Sequence, residues 1–136
     1  MKAVDTNILA RFFVDDPDDP QLAKQLPAAA LALSESAFVS VTVLLEFEWV
    51  LRGFYSLPRK TIVEVFRALV GIEHVTIEDR GAVLAAIDAL DSGMDFADAL
   101  HLSRISNTSG FVTFDRRLAR RARLLQLDIP IEVLAY

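Results

Sequence analysis

Short apolar runs alternate with helical stretches along the whole chain, and this alternation restricts the fold more than any other feature of the sequence. The runs with strand composition are residues 3–5, 38–41, 74–76, 111–114 and 131–134. The stretches with helical composition are residues 6–13, 20–33, 42–54, 58–70, 79–91, 95–106 and 115–125. Because parallel strands are joined by helical crossovers, this order predicts an α/β sandwich with a short-stranded, mainly parallel central sheet.

Proline and glycine mark the ends of several predicted helices. Pro58 fits the first turn of the helix over 58–70, and Gly71 fits the position after its last residue. Pro27 lies inside the stretch 20–33, where the missing N–H predicts an interruption or a kink.

The composition is that of a globular domain, with 53% hydrophobic and 24% charged residues in a chain of 136. The longest uncharged apolar stretch, residues 26–34, is too short to span a membrane. The chain runs straight into the first strand without a signal peptide, and it has no cysteines for disulfides or a thiolate metal site. We therefore expect one soluble domain in the cytoplasm.

The net charge of −5 disfavours a nucleic-acid partner, but the charge is unevenly distributed along the chain. Five arginines fall within residues 116–123, and four aspartates fall within residues 15–19. An acidic total is therefore compatible with a local basic patch.

Two aspartates come where a predicted strand gives way to a helix. Asp5 ends the first strand, and Asp115 follows the fourth strand in the same way. Ligands bind at the carboxyl ends of parallel strands in open α/β sheets, so both positions fit a functional site. Both also fit a purely structural role as helix N-caps.

Glu46 lies on a helix with apolar neighbours. Val43 precedes it by three residues and Val50 follows it by four, a spacing that predicts that Glu46 points to the apolar side. Glu48 has Arg52 four residues later and is predicted to point outward as a surface pair. The alternative for Glu46 is a partly exposed acid on a broad apolar helix.

The helix from residue 95 carries two further acids. Asp95 fits an N-cap, and Asp98 follows it at a capping-box-like spacing. Asp98 also shares a helix face with Leu102 and Ile105, which predicts that it is more than a surface cap.

Acids from four segments would repel one another if they met at one edge of the sheet. Two unit charges about 4 Å apart cost roughly 4 kcal/mol at an effective dielectric constant near 20. Such a cluster must take up protons or bind cations, and oxygen ligands without cysteine suit Mg²⁺ or Mn²⁺.

Four stretches match a known family: Val4-Asp5-Thr6-Asn7, Ser40-Val41-Thr42-Val43-Leu44-Leu45-Glu46, Asp95-Phe96-Ala97-Asp98-Ala99-Leu100-His101 and Thr113-Phe114-Asp115. In them the chain resembles the PIN-domain ribonucleases, specifically the VapC-like toxins of bacterial and archaeal toxin–antitoxin pairs. The stretches cover nearly the whole chain in the order and at the spacing usual for that family. Each is weak alone, and the four together are specific.

The resemblance implies one PIN-like α/β/α domain over residues 1–136 and a Mg²⁺- or Mn²⁺-dependent endoribonuclease that hydrolyses RNA phosphodiester bonds with a metal-activated water. It implies a toxin that forms homodimers and is inhibited by a small antitoxin protein. The acids that it assigns to metal binding and catalysis are Asp5, Glu46, Asp98 and Asp115. The polar residues that it assigns to supporting roles are Asn7, Asp95 and Thr113.

The arginine-rich helix begins directly after Asp115, so we expect some of its cations to bind RNA phosphates. The arginines predicted to do so are Arg116, Arg117 and Arg120. The alternatives for this helix are a solvated face or contacts with an acidic partner. For the whole chain, the alternative function is a non-catalytic RNA- or protein-binding PIN-like module.

Overall fold

In the computed structural model, which describes residues 1–136, the predicted strands and helices form in the predicted order. Residues 1–80 and residues 81–136 make up two compact units. The elements up to residue 80 are β1 (Lys2–Ala3), α1 (Thr6–Phe13), α2 (Pro20–Ser34), β2 (Ala37–Val39), α3 (Val41–Trp49), a π-helical segment (Val50–Phe54), α4 (Arg59–Val70) and β3 (Val75–Ile77). The elements that follow are α5 (Arg80–Asp91), α6 (Phe96–Ser103), β4 (Phe111–Thr113), α7 (Arg116–Leu124) and β5 (Ile131–Val133).

All strand pairs are parallel. In the first unit the strand order is β1-β2-β3, with Phe38 opposite Ala3 on one side and Thr76 on the other. In the second unit β4 pairs with β5, and Phe111 lies opposite Ile131. The predicted α/β fold with short parallel strands is therefore confirmed. The strand hydrogen bonds are divided between a three-stranded and a two-stranded sheet, and the single domain over residues 1–136 stays a prediction.

A row of aromatic rings joins the helices that follow β1 and β2. The Phe13 and Phe47 ring centroids are 6.2 Å apart, and those of Phe47 and Phe66 are 5.8 Å apart. These separations are typical of favourable aromatic pairs, and Phe47 and Phe66 are almost fully buried. The row fixes α3 against α1 and so fixes the helix that carries Glu46.

Helix α2 continues through Pro27, so an interruption at that residue is wrong, and the alternative of a kink stays a prediction. A proline in a helix removes the hydrogen bond to the carbonyl four residues earlier, which is that of Ala23. Pro27 and Ala23 are both exposed, so water can satisfy that carbonyl. None of the helices, α2 included, has both the length and the apolar character that a membrane crossing requires.

The two glutamates of α3 face opposite sides to those predicted. The buried residues of the helix are Val41, Leu44, Phe47 and Glu48. Glu48 is only 5% exposed, whereas Glu46 is exposed. The prediction was wrong because it took Val43 and Val50 as markers of the buried side, and both are only half-buried.

Burial of Glu48 is compensated by the arginine one turn later. Nε of Arg52 donates to both carboxylate oxygens of Glu48, at 3.0 and 3.1 Å. The Arg52 side chain is 54% exposed, so it neutralises the carboxylate from the solvent side. The pair at this spacing was predicted, but as a surface pair.

We expect Arg52→Ala to lower the free energy of unfolding by about 1–3 kcal/mol, because the buried Glu48 carboxylate loses its partner. The exposure of Arg52 places the effect at the lower end of that range. Urea denaturation measures the change. Lys60→Ala, an exposed substitution on α4, is the control and should change stability by no more than about 0.5 kcal/mol. A denaturation midpoint for Arg52→Ala equal to that of the wild type would contradict this account of Glu48.

Candidate active site

The residue that follows Asp5 joins the end of β1 to α3. The hydroxyl of Thr6, which is buried, donates a hydrogen bond to Oε1 of Glu46, 40 residues away in the sequence. Asp5 and Glu46 are both exposed. The bond holds the Glu46 carboxylate at the start of α1, so the first unit presents two solvent-facing acids from adjoining positions.

Three of the predicted site aspartates cap a helix with one carboxylate oxygen. Oδ1 of Asp5 accepts a hydrogen bond from the backbone N–H of Ile8 at 3.1 Å, at the start of α1. Asp95 and Asp115 cap α6 and α7 in the same way. In each case Oδ2 accepts no hydrogen bond from the protein. The structural role therefore restrains the carboxylate and leaves one oxygen for a ligand.

A cleft of about 460 Å³ in the second unit brings Asp98 together with Asp95 and Asp115. One wall is α7, and the other is formed by the segment before α6 and the first turn of α6. The residues that line the cleft are Gly93, Met94, Asp95, Asp98, Asp115, Arg117, Leu118, Arg120, Arg121 and Leu124. Two of the four predicted catalytic acids and one supporting acid thus share one concave surface.

The electrostatics of the cleft act on Asp98. Partial burial raises the pKa of its carboxyl above the ordinary value of 3.8, and the charges of Asp95 and Asp115 raise it further. His101 acts in the opposite direction. A carboxylate in this position favours either a proton or a nearby cation.

Three arginines line the same cleft without pairing with its acids. Arg117, Arg120 and Arg121 form no ion pair with an aspartate or glutamate. Arg116, which was predicted to bind RNA with Arg117 and Arg120, is exposed and is not among the lining residues. The cleft therefore offers carboxylate oxygens to a cation and guanidinium groups to an anion.

The predicted supporting residues differ in their contacts. Oγ1 of Thr113 accepts a hydrogen bond from the backbone N–H of Asp115 at 2.9 Å, which fixes the turn between β4 and α7. Asp95 acts as the cap of α6 described above. Asn7 lies exposed in the first turn of α1, and its supporting role stays a prediction.

The structure contains no group of three or more carboxylate or imidazole side chains placed to hold a metal ion. Asp5 and Glu46 belong to the first unit, and Asp98 and Asp115 belong to the second. The donors nonetheless fit Mg²⁺ or Mn²⁺, because all are carboxylates and each retains an oxygen that the protein does not use. Burial, together with the charges of Asp95 and Asp115, raises the pKa of Asp98, and a divalent cation beside it would favour its ionised form.

Sequence reasoning missed two contributors. Thr6 is a plain helix-start residue in the sequence, and no local signal indicates its hydrogen bond with Glu46. Arg121 was absent from the predicted RNA-binding set, although it follows Arg117 by four residues and so shares its helix face. That spacing would have been enough to find it.

The family model for the PIN domain matches residues 2–124 of the chain. The chain belongs to the PIN domain family. The match includes all four predicted catalytic acids and extends over both units. PIN domains are typically nucleases, and their usual substrate is RNA. A comparison with curated proteins gave no match.

In this PIN domain without divalent metal, we expect Asp98→Asn to be more stable than the wild type at neutral pH. An acid whose pKa is higher in the folded state stabilises the fold at low pH, and this contribution is lost as the pH rises from about 3.8 through the folded value. The advantage of the variant should therefore disappear as the pH falls towards about 4. Thermal unfolding in EDTA across this pH range measures it.

The matched control for this measurement is Glu64→Gln, which neutralises an exposed acid on α4. The difference in melting temperature between Glu64→Gln and the wild type should not increase with pH as it does for Asp98→Asn. A melting temperature of Asp98→Asn that is at or below the wild-type value at neutral pH would contradict the expected repulsion around Asp98.

Proposed function

We propose that this PIN domain is a Mg²⁺- or Mn²⁺-dependent endoribonuclease and the toxin of a toxin–antitoxin pair. The observation that carries the nuclease role is the cleft in which three aspartates lie beside three arginines without ion pairs between them. Hydrolysis of RNA with a metal needs both kinds of group in one place. The toxin role, the antitoxin partner, the homodimer and the cytoplasmic location rest on the resemblance of the four motifs to VapC-like toxins.

The residues that would hold the ion are Asp5, Glu46, Asp98 and Asp115, supported by Asn7, Asp95 and Thr113. When bound, the ion would supply stabilisation of negative charge on the phosphate and lower the pKa of a water molecule. Asp5 and Asp115 are restrained by the helices that they cap, and Glu46 is restrained by Thr6. Each presents an oxygen that capping or the threonine hydroxyl does not use.

The chain's own residues would also handle the proton and the RNA. In-line attack of water on a phosphodiester needs a proton acceptor, and Asp98 is suited to this role because burial and the neighbouring aspartates raise the pKa of its carboxyl. Arg117 and Arg120 would bind RNA phosphates from the cleft, and Arg116 would do so from the exposed side of α7. Attack by water with departure of the 3′ oxygen leaves a 5′-phosphate and a 3′-hydroxyl.

We expect the purified protein to cleave single-stranded RNA in Mg²⁺ or Mn²⁺ and to stop in EDTA. Asp5→Asn should lower the cleavage rate by about 100-fold or more, because a carboxylate at the reaction centre is lost. Mapping of the RNA ends should show 5′-phosphate and 3′-hydroxyl termini. Asp18→Asn removes an exposed acid remote in sequence from the four motifs and should leave the rate unchanged. Cleavage that persists in EDTA and leaves 2′,3′-cyclic phosphates would refute the proposal.

A non-catalytic RNA- or protein-binding module is the alternative, and the capping roles of Asp5, Asp95 and Asp115 favour it. The two functions differ in their response to metal. An ion that binds only the native state raises the melting temperature as its concentration increases. If Mg²⁺ and Mn²⁺ leave the melting temperature unchanged and the protein does not cleave RNA, the non-catalytic binding module is favoured.

The Thr6–Glu46 bond gives a more local test of the site. Thr6→Val keeps the shape of the side chain but removes the hydroxyl donor, and we expect the cleavage rate to fall about tenfold, as for other groups that orient a metal ligand. Thr6→Ser keeps the donor and should restore most of the activity. Initial rates in saturating Mg²⁺ and melting temperatures separate this effect from unfolding. Equal rates for Thr6→Val and the wild type would show that the position of Glu46 does not depend on Thr6.

A further inference from the structure

The guanidinium group of Arg121 lies against the bare backbone of Gly93 in the cleft of the second unit. A Cβ atom built on Gly93 would be 3.4 Å from both Cζ and Nη1 of Arg121. A Cβ at this position would therefore be in ordinary van der Waals contact with the guanidinium group, which packs closely on Gly93. Gly93 also has φ +108°, a conformation that other residues rarely adopt.

Arg121 remains charged and unpaired in this position. It forms no ion pair, although Asp95, Asp98 and Asp115 line the same cleft. Arg117 and Arg120 are also without ion pairs and line the same cleft; Arg117 lies one helical turn before Arg121, and Arg120 is its neighbour in the sequence. Helix α7 thus presents three cations to a single concave surface.

The chemistry of three guanidinium groups points to a phosphate. The planar fork of arginine donates two parallel hydrogen bonds to phosphate oxygens, which favours phosphate over a spherical anion. Because the guanidinium of Arg121 already packs on Gly93, little side-chain freedom is lost when an anion binds. A backbone phosphate also suits the acidic part of the cleft, since its oxygens can share a divalent cation with the carboxylates.

We propose that Arg117, Arg120 and Arg121 form a subsite for a phosphate of the RNA backbone, in which the guanidinium group of Arg121 packs on Gly93. The identity of the ligand as RNA rests on the proposed function. The subsite differs from the arginine set predicted from the sequence, because Arg121 belongs to it and Arg116 does not.

The test is the binding of a fluorescein-labelled single-stranded RNA, followed by anisotropy over a series of KCl concentrations. Binding is measured first in EDTA. It is then measured in Mg²⁺ with all variants made in the Asp5→Asn protein, which keeps every residue of the cleft. Arg121→Ala should raise Kd about tenfold, the effect of one lost charged hydrogen-bond partner. It should also reduce the slope of log K against log salt by about 0.7, the contribution of one phosphate contact on a single strand.

Two further variants separate the cleft from the general charge of α7. Arg123→Ala removes the same charge from the same helix outside the cleft and should change Kd by less than about twofold. Arg121→Lys keeps the charge without the planar fork and should bind RNA with an intermediate Kd. Circular dichroism and melting temperatures show that each variant is folded.

Equal losses in Arg123→Ala and Arg121→Ala would overturn the subsite, since the charge of the helix rather than the cleft would then bind RNA. It would also be overturned if wild-type protein bound inorganic phosphate or an acidic peptide through Arg121 but bound no RNA. If Arg121→Ala weakens RNA binding as predicted but the wild-type protein does not cleave RNA in Mg²⁺, the proposed nuclease function is refuted. The phosphate subsite is supported by the same result.

Discussion

The first turns of α1, α6 and α7 hold three of the site aspartates in place, and the rest of the candidate site depends on this restraint. The first N–H groups of a helix have no intrahelical partners, and they carry partial positive charge. A carboxylate just before the helix accepts a hydrogen bond from them, as Asp5, Asp95 and Asp115 do. Only one oxygen of each is used. The structural role and the ligand role are therefore compatible, because the cap fixes the direction in which the second oxygen points.

Restrained carboxylates leave negative charge that the chain does not neutralise. Glu48 differs from them, because its buried charge is neutralised by Arg52 in a direct ion pair. Asp98 lies in a cleft with three arginines and pairs with none of them, and its pKa is raised instead. An ion pair in the cleft would consume the groups that a metal and a phosphate need. The same residue types are thus used for stability on α3 and kept available on α6 and α7.

The order of strands and helices was predictable because it depends on local composition and periodicity. The contacts that build the site could not be predicted in the same way, because they join residues that are remote in sequence. The partner of Thr6 is 40 residues away, and the guanidinium of Arg121 finds its place on a glycine that precedes another helix. Asp5 and Asp115 were selected because they follow strands, where the fold itself restricts what a carboxylate can do, and Glu46 and Asp98 were selected for their predicted helix faces. The interruption expected at Pro27 does not occur, and the exposure of that helix position could not be seen from the local sequence.

The wrong prediction for α3 changes how Glu46 should be understood. It was selected as an acid that points to the apolar side, yet the buried acid is Glu48. A buried Glu46 would need a cation from the protein, as Glu48 needs Arg52, and it would then have no charge to offer a metal. The exposed Glu46 is held by a neutral hydroxyl, which restrains its position without neutralising it. Exposure together with a neutral restraint is what a carboxylate ligand requires, so Glu46 is a stronger candidate on this face of the helix than on the one predicted.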